Sequence, residues 1–177
     1  MSSNFEQTGS RTVYTGYQAT IYRRTFRHED GEEVVREVVG HPGAVAIVAH
    51  DGENLWLVRQ PREAVGLPDM LELPAGKCDV AGEPLLETAR RELAEEIGKG
   101  AAHWEHLISF HGSAGFSDEE VHVYLATGLR DESAHVEENE RIDIVCHPLA
   151  ELDALFAQTT DAKTLIGLYE FRRRQEG

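Results

Sequence analysis

The segment from Pro84 to Gly98 constrains this chain more than any other. Leu86, Ala89, Leu93 and Ile97 recur at helical spacing and form one apolar stripe that only another packed element can cover. Pro84 suits the first helical position and Gly98 the C-terminal stop, so the pattern predicts a helix over Pro84–Ile97. On the same helix Glu92, Glu95 and Glu96 stand at i, i+3 and i+4. At about 3.6 residues per turn they share one sector beside the stripe. Like charges so placed cost about 0.2–0.5 kcal/mol per pair. A solvated acidic face tolerates that cost. So does a hard-cation site, because Mg2+ takes carboxylate and carbonyl oxygens together with water and substrate phosphate.

The flanking sequence supplies what the helix can pack on. From Thr12 to about Phe26 the chain is rich in Val, Tyr, Thr and Ile, as strands are. His28–Glu32 reads as a turn, with a return through Glu33–Val39. A second hairpin runs Ala44–Val48, turns at Asp51–Asn54 and returns over Leu55–Val58. Beyond the helix, Leu107–Phe110, Val121–Leu125 and Ile142–Val145 read as strands. Two helices follow, about Leu149–Phe156 and Asp161–Arg173, the second with Asp161 as N-cap. This order predicts an α/β (α+β) fold, a mixed sheet covered by helices on both faces. Residues 1–10 are polar and expected to be a flexible terminus, leaving 11–177 as one domain with a β-rich region over about 11–40.

Composition excludes several classes of function. Lys and Arg number 17 against 32 Asp and Glu, a formal charge of −15. Phosphate-backbone and anionic-membrane affinity rest on Lys and Arg, so no nucleic-acid or membrane partner is expected. Cys78 and Cys146 form no CxxC pair, which argues against a disulfide framework or a thiolate zinc site. The start lacks a basic, then apolar, leader, and the longest apolar run, Gly43–Ala49, is far below the ~20 residues of a membrane span. A cytoplasmic setting is therefore expected. Ser117 has no GxSxG elbow, and neither GxGxxG nor GxxxxGK[ST] occurs. Arg172–Arg174 ends a helix, where cations suit the macrodipole. The acid gathers in two bunches, Glu92/Glu95/Glu96 and Glu137/Glu138/Glu140.

The context of the helix is more telling than its charge. Leu73-Pro74-Ala75-Gly76-Lys77 leads through Cys78–Gly82 to Glu83, and seven residues later comes Arg91-Glu92-Leu93-Ala94-Glu95-Glu96-Ile97-Gly98. This resembles the signature of the Nudix hydrolases: a Gly, a Glu, seven residues, then Arg-Glu-aliphatic-x-Glu-Glu-x-Gly. Two positions depart from it. Six residues separate Gly76 from Glu83 where the family usually has five, and Lys99 stands where an aliphatic residue is usual.

The resemblance implies a Nudix-type α/β/α sandwich and a set of roles. Glu92 and Glu96 match the main carboxylate ligands of a divalent metal, with Glu95 ligating or orienting a water. The Ala75 carbonyl matches a further ligand, and Glu83 with Arg91 an ion pair fixing loop to helix. Mg2+ is the implied cofactor, with Mn2+ as the alternative, at two or three ions per site. Bridging a diphosphate, such an ion neutralises it and lowers the pKa of the attacking water.

Outside this box, His41–Val45, Leu57–Gln60, Leu71–Gly76 and Gly115–Glu119 resemble the ADP-ribose pyrophosphatase branch of the family. That likeness implies that Arg36 and Glu37 hold the adenosine end across a homodimer interface. Arg62 would meet the diphosphate, and Glu72 and Gly76 would face the substrate. Glu138 or Glu140, in an acidic loop, would close over the site as general base. The implied reaction is hydrolysis of a nucleoside diphosphate sugar, ADP-ribose to AMP and ribose 5-phosphate. Ala114 replaces a proline usual in that branch, which keeps ADP-glucose, GDP-mannose or a UDP-sugar as alternative substrates. A non-catalytic nucleotide-sugar-binding module is the remaining alternative. It is disfavoured because every box carboxylate is present and 177 residues leave no room for an added DNA-binding domain.

Overall fold

The computed structural model describes residues 4–17, 19–133 and 141–176. The chain forms two compact units, Met1–Gly43 with His111–Glu120, and Ala44–Phe110 with Val121–Gly177.

The first unit carries an antiparallel sheet in the order β1 (Phe5–Thr15), β2 (Thr20–His28), β3 (Glu33–Gly40). Gly31, at φ 88°, closes the β2–β3 hairpin, and the Asp30 carboxylate accepts the Glu32 N–H at 3.0 Å. β1 begins at Phe5, inside the stretch whose polarity suggests a loose terminus. Its ring meets Phe26 edge-on at 5.5 Å across the strand pair, a long-range contact that local composition does not reveal. Residues 111–120 join the same unit at β3. The Val39 N–H donates to the Phe116 carbonyl, and the Asp118 N–H donates to the Val39 carbonyl.

The second unit is built on β4 (Ala44–His50), β5 (Asn54–Arg62), β6 (Leu67–Glu72), β7 (Ala75–Lys77), β8 (Lys99–His111), β9 (Glu120–Asp131) and β10 (Asp143–Pro148). The sheet order is β10-β5-β4-β9-β8, with β6 on β5 and β7 on β4. β4 and β9 run parallel and the pairs of β4 and β5 with β5, β6, β7 and β10 run antiparallel, so the sheet is mixed. Its helices are α1 (Leu85–Ile97), α2 (Leu152–Leu155) and α3 (Ala162–Glu176).

β4 explains the layering. Val45, Ile47 and Ala49 point to one face and pack with Ala89, Leu93 and Ile97 of α1. Ala46 and Val48 point to the other and pack with Leu152, Leu155, Leu168 and Phe171 of α2 and α3. A strand buried on both sides, split by its period of two, makes a helix–sheet–helix sandwich, as the element order predicts. Burying a side chain such as Leu93 or Ile97 contributes about 1.5–3 kcal/mol.

Details differ from the sequence expectation. α1 starts at Leu85, because Pro84 is extended (φ −64°, ψ 142°) and caps the helix rather than opening it. Gly98 closes it in the left-handed region at φ 65°, its N–H on the Ala94 carbonyl. β8 follows at once from Lys99 and is 13 residues long, far beyond Leu107–Phe110. Lys99 lies over the Trp56 ring at 4.5 Å and pairs with Asp131 at 2.6 Å, which accounts for a lysine where an aliphatic is usual. The Leu149–Phe156 segment splits into a 3-10 turn, Leu149–Glu151, and the short α2.

Candidate active site

The Leu73-Pro74-Ala75-Gly76 turn is pinned from several sides. The Ile47 N–H donates to the Pro74 carbonyl at 2.8 Å, and the Leu73 N–H donates to the Thr164 hydroxyl at 2.8 Å. Onto this fixed turn α1 sets its carboxylates. The Ala75 N–H donates to Glu96 Oε2 at 2.9 Å. The Glu92 carboxyl group fills the space where a Cβ on residue 76 would stand, so only glycine fits there without displacing it. Glu92 and Glu96 thus converge on the Ala75–Gly76 main chain.

Arg91 gathers the remaining acids. Its Nη1 donates to Glu92 at 2.8 Å and to Glu95 at 2.9 Å, and Nε and Nη2 donate to the two Glu83 oxygens at 3.3 and 3.2 Å. Glu83 also accepts the Thr88 hydroxyl at 2.8 Å. The Arg91 bonds, with that of Thr88, hold the Glu83 carboxyl below its usual range. Burial opposes the charge on Arg91, but Glu83 and its other carboxylate partners outweigh it and raise its pKa. The longer loop before Glu83 folds back on a Glu83 N–H to Val80 carbonyl bond, with Gly82 at φ 80°, and Glu83 still reaches Arg91.

Among the described residues, no group of three or more His, Cys, Asp or Glu is drawn together tightly enough to hold a metal. The donor set nevertheless fits a hard dication. It offers carboxylate oxygens of Glu92 and Glu96 at a main-chain turn, with Glu95 tied to Glu92 through Arg91, and Glu92 packs where glycine alone makes room.

In the same unit lies a buried carboxylate. Glu72 has no exposed surface, yet it takes a bidentate Arg62 pair at 2.6 and 2.8 Å and the Lys163 ammonium at 2.5 Å. Burial alone would push the Glu72 carboxyl up; the bonds from Arg62 and Lys163 outweigh burial and hold it below the carboxylate range. The Glu72 hydrogen bond is the main cause raising the pKa of Arg62, and Glu96 lies close enough to add to it.

In the first unit, Arg36 lines a cavity with Phe5, Phe26, His28 and Val38, and Ala114 lines it too. Arg36 and Glu37 are neighbours on β3 and so project to opposite faces. Across the strand pair Arg36 faces Arg24, whose charge is taken by Asp118 at 2.8 Å. Glu138 and Glu140 lie outside the described residues.

The NUDIX domain profile matches residues 40–168. The chain belongs to the NUDIX family. It is 46% identical over 151 residues to an ADP-ribose pyrophosphatase of Mycobacterium tuberculosis, covering 84% of this chain and 72% of that one. It is 34% identical to a methanol dehydrogenase activator of Bacillus methanolicus over 95% of this chain and 94% of that one. A crystal structure of an ADP compounds hydrolase superposes with a TM-score of 0.84 at 25% identity, covering 98% and 95% of the two chains. The protein is thus a Nudix hydrolase with the family's mixed-sheet fold, and Nudix hydrolases generally use divalent metal ions. Among the described residues no helix is long and apolar enough to cross a membrane.

Sequence reading missed Lys163 and Thr164. A signal for the first exists: a lysine in the first turn of a helix opposes the macrodipole and therefore points to a specific anionic partner.

Proposed function

We propose that this NUDIX protein hydrolyses the diphosphate of ADP-ribose to AMP and ribose 5-phosphate with Mg2+. The observation that carries this reading is the convergence of Glu92 and Glu96 on the Ala75–Gly76 turn, with Arg62 within electrostatic reach of Glu96. The relative of M. tuberculosis, an ADP-ribose pyrophosphatase, supports the substrate.

In this reading Glu92, Glu95, Glu96 and the Ala75 carbonyl hold the divalent ions, Mg2+ first and Mn2+ as the alternative. When bound, such ions neutralise the diphosphate and acidify a water. Arg91 and Glu83 hold the carboxylates in register. Arg62 donates to a diphosphate oxygen while Glu72 fixes its plane. Arg36 and Glu37 hold the adenosine end from the second subunit of a homodimer, and Glu138 or Glu140 takes the proton from the attacking water. A cytoplasmic setting fits the two unpaired cysteines, Cys78 and Cys146.

Turnover of ADP-ribose by E96Q, followed by phosphate-coupled assay at saturating Mg2+, tests the metal assignment. A loss of at least about 100-fold is expected, as for removal of a group stabilising transition-state charge. Near-wild-type turnover overturns it. A second reading keeps the chemistry and changes the sugar or base, favoured by Ala114 in the cavity that Arg36 lines. Comparing kcat/KM for ADP-ribose, ADP-glucose, GDP-mannose and a UDP-sugar separates the two. Preference for guanine or uracil substrates ends the ADP-ribose reading.

A further inference from the structure

Lys163 sits in a position that helix physics disfavours. It is the second residue of α3, where the amide dipoles repel a cation, and its side chain is only 17% exposed. A lysine held there against both the dipole and burial needs compensation, and two carboxylates give it. Nζ donates to Glu72 Oε2 at 2.5 Å and to Asp161 Oδ1 at 2.9 Å. The other Asp161 oxygen accepts the Thr164 N–H and hydroxyl at 2.9 and 2.6 Å, so the partner of Lys163 is itself fixed at the helix start.

The other end of this chain of contacts is Arg62. Glu72 accepts Arg62 Nε on one oxygen and Arg62 Nη2 on the other, and Lys163 adds a third bond on the second oxygen. A carboxylate with two bonds in one plane can still swing with its arginine. The third bond, from a different element, fixes that plane. The Arg62 side chain is 40% exposed while that of Glu72 is wholly buried, and Nε and Nη2 form the edge of the fork that Glu72 holds. The four charges Arg62, Glu72, Lys163 and Asp161 sum to zero, so the cluster as a whole brings no net charge to the site.

We infer that Lys163 is a positioning residue that aims Arg62 through Glu72. This rests on the reading that Arg62 meets the substrate diphosphate. Lys163 does not itself touch substrate, and preorganising a bidentate donor lowers the cost of binding an oxyanion.

A double-mutant cycle tests this, with KM and kcat for ADP-ribose measured in the full chain for K163M, R62A and the pair, and each variant's unfolding midpoint alongside. K163M is expected to raise KM about tenfold with kcat within about twofold, and K163R to recover most of that rise. R62A should raise KM further, and adding K163M to R62A should change KM by no more than about twofold. A K163M effect of full size in the R62A background overturns the inference, because Lys163 would then act without Arg62. So does a K163M variant with lowered midpoint and reduced kcat but unchanged KM, the pattern of a merely structural residue. If R62A leaves KM unchanged, the diphosphate role of Arg62 falls and the inference with it, and that arm is distinct from the others. Should K163M fail to fold, K163Q, which keeps a donor and loses the charge, takes its place in the cycle.

Discussion

The carboxyl group of Glu92 occupies the place a side chain on Gly76 would need. The glycine is there for space, since its backbone torsion is one that other residues adopt. Gly76→Ala should therefore leave the fold intact and push Glu92 off the turn. A kcat loss of about 100-fold or more is expected, with unfolding changed by no more than about 1 kcal/mol. Steady-state kinetics beside chemical denaturation separate the two effects.

Arg91 bridges Glu83, Glu92 and Glu95, so its removal leaves half-buried carboxylates facing one another. Arg91→Met should destabilise the protein by about 2 kcal/mol, the cost of stranding charged acceptors. Added Mg2+ should restore part of that loss by replacing the missing positive charge. Urea unfolding with and without Mg2+ checks both statements.

The Thr164 hydroxyl accepts the buried Leu73 N–H and donates its own hydrogen bond to Asp161. Thr164→Val keeps the shape and strands that N–H. The expected cost is about 1–3 kcal/mol. Faster hydrogen exchange at the Leu73 amide, with α1 unaffected, would show that the loss is local.

His50 is driven toward its neutral form by burial, against a weaker pull from Asp51, and its Nδ1 has no hydrogen-bond partner among the described residues. Its folded pKa lies below the ordinary 6.5, so on acidification the unfolded chain takes the proton first. Stability should therefore fall as pH drops below about 6.5 and stop falling once the folded pKa is passed. In His50→Phe, which keeps a ring beside Phe171, that slope should be absent. Denaturation midpoints from about pH 7 to 5 check it.

The register of α1 was legible because it repeats: four apolar positions and three glutamates all report the same helix. The hairpin of β4 and β5 was legible because two short apolar runs flank an Asp-Gly turn. β6 and β7 were not, because they are short, Pro68 lies within β6 and Pro74 between the two, and they gain strand geometry from β5 and β4. The binding partners of Glu72 follow the same rule. The sequence points to Arg62, ten residues away, as a diphosphate contact and not as a partner of Glu72; Lys163 is 91 away, and only the closed fold brings it there. That Arg36 and Glu37 leave β3 on opposite faces was legible in principle, since neighbours on a strand always do.

The bond from the Ala75 amide to Glu96 turns a main-chain proton into a witness of a carboxylate. Its resonance in a 15N-labelled sample would track what happens at Glu96 as Mg2+ is titrated in. No side chain would need altering to watch it. A site whose acids are usually followed only by removing them thus carries a native spectroscopic handle.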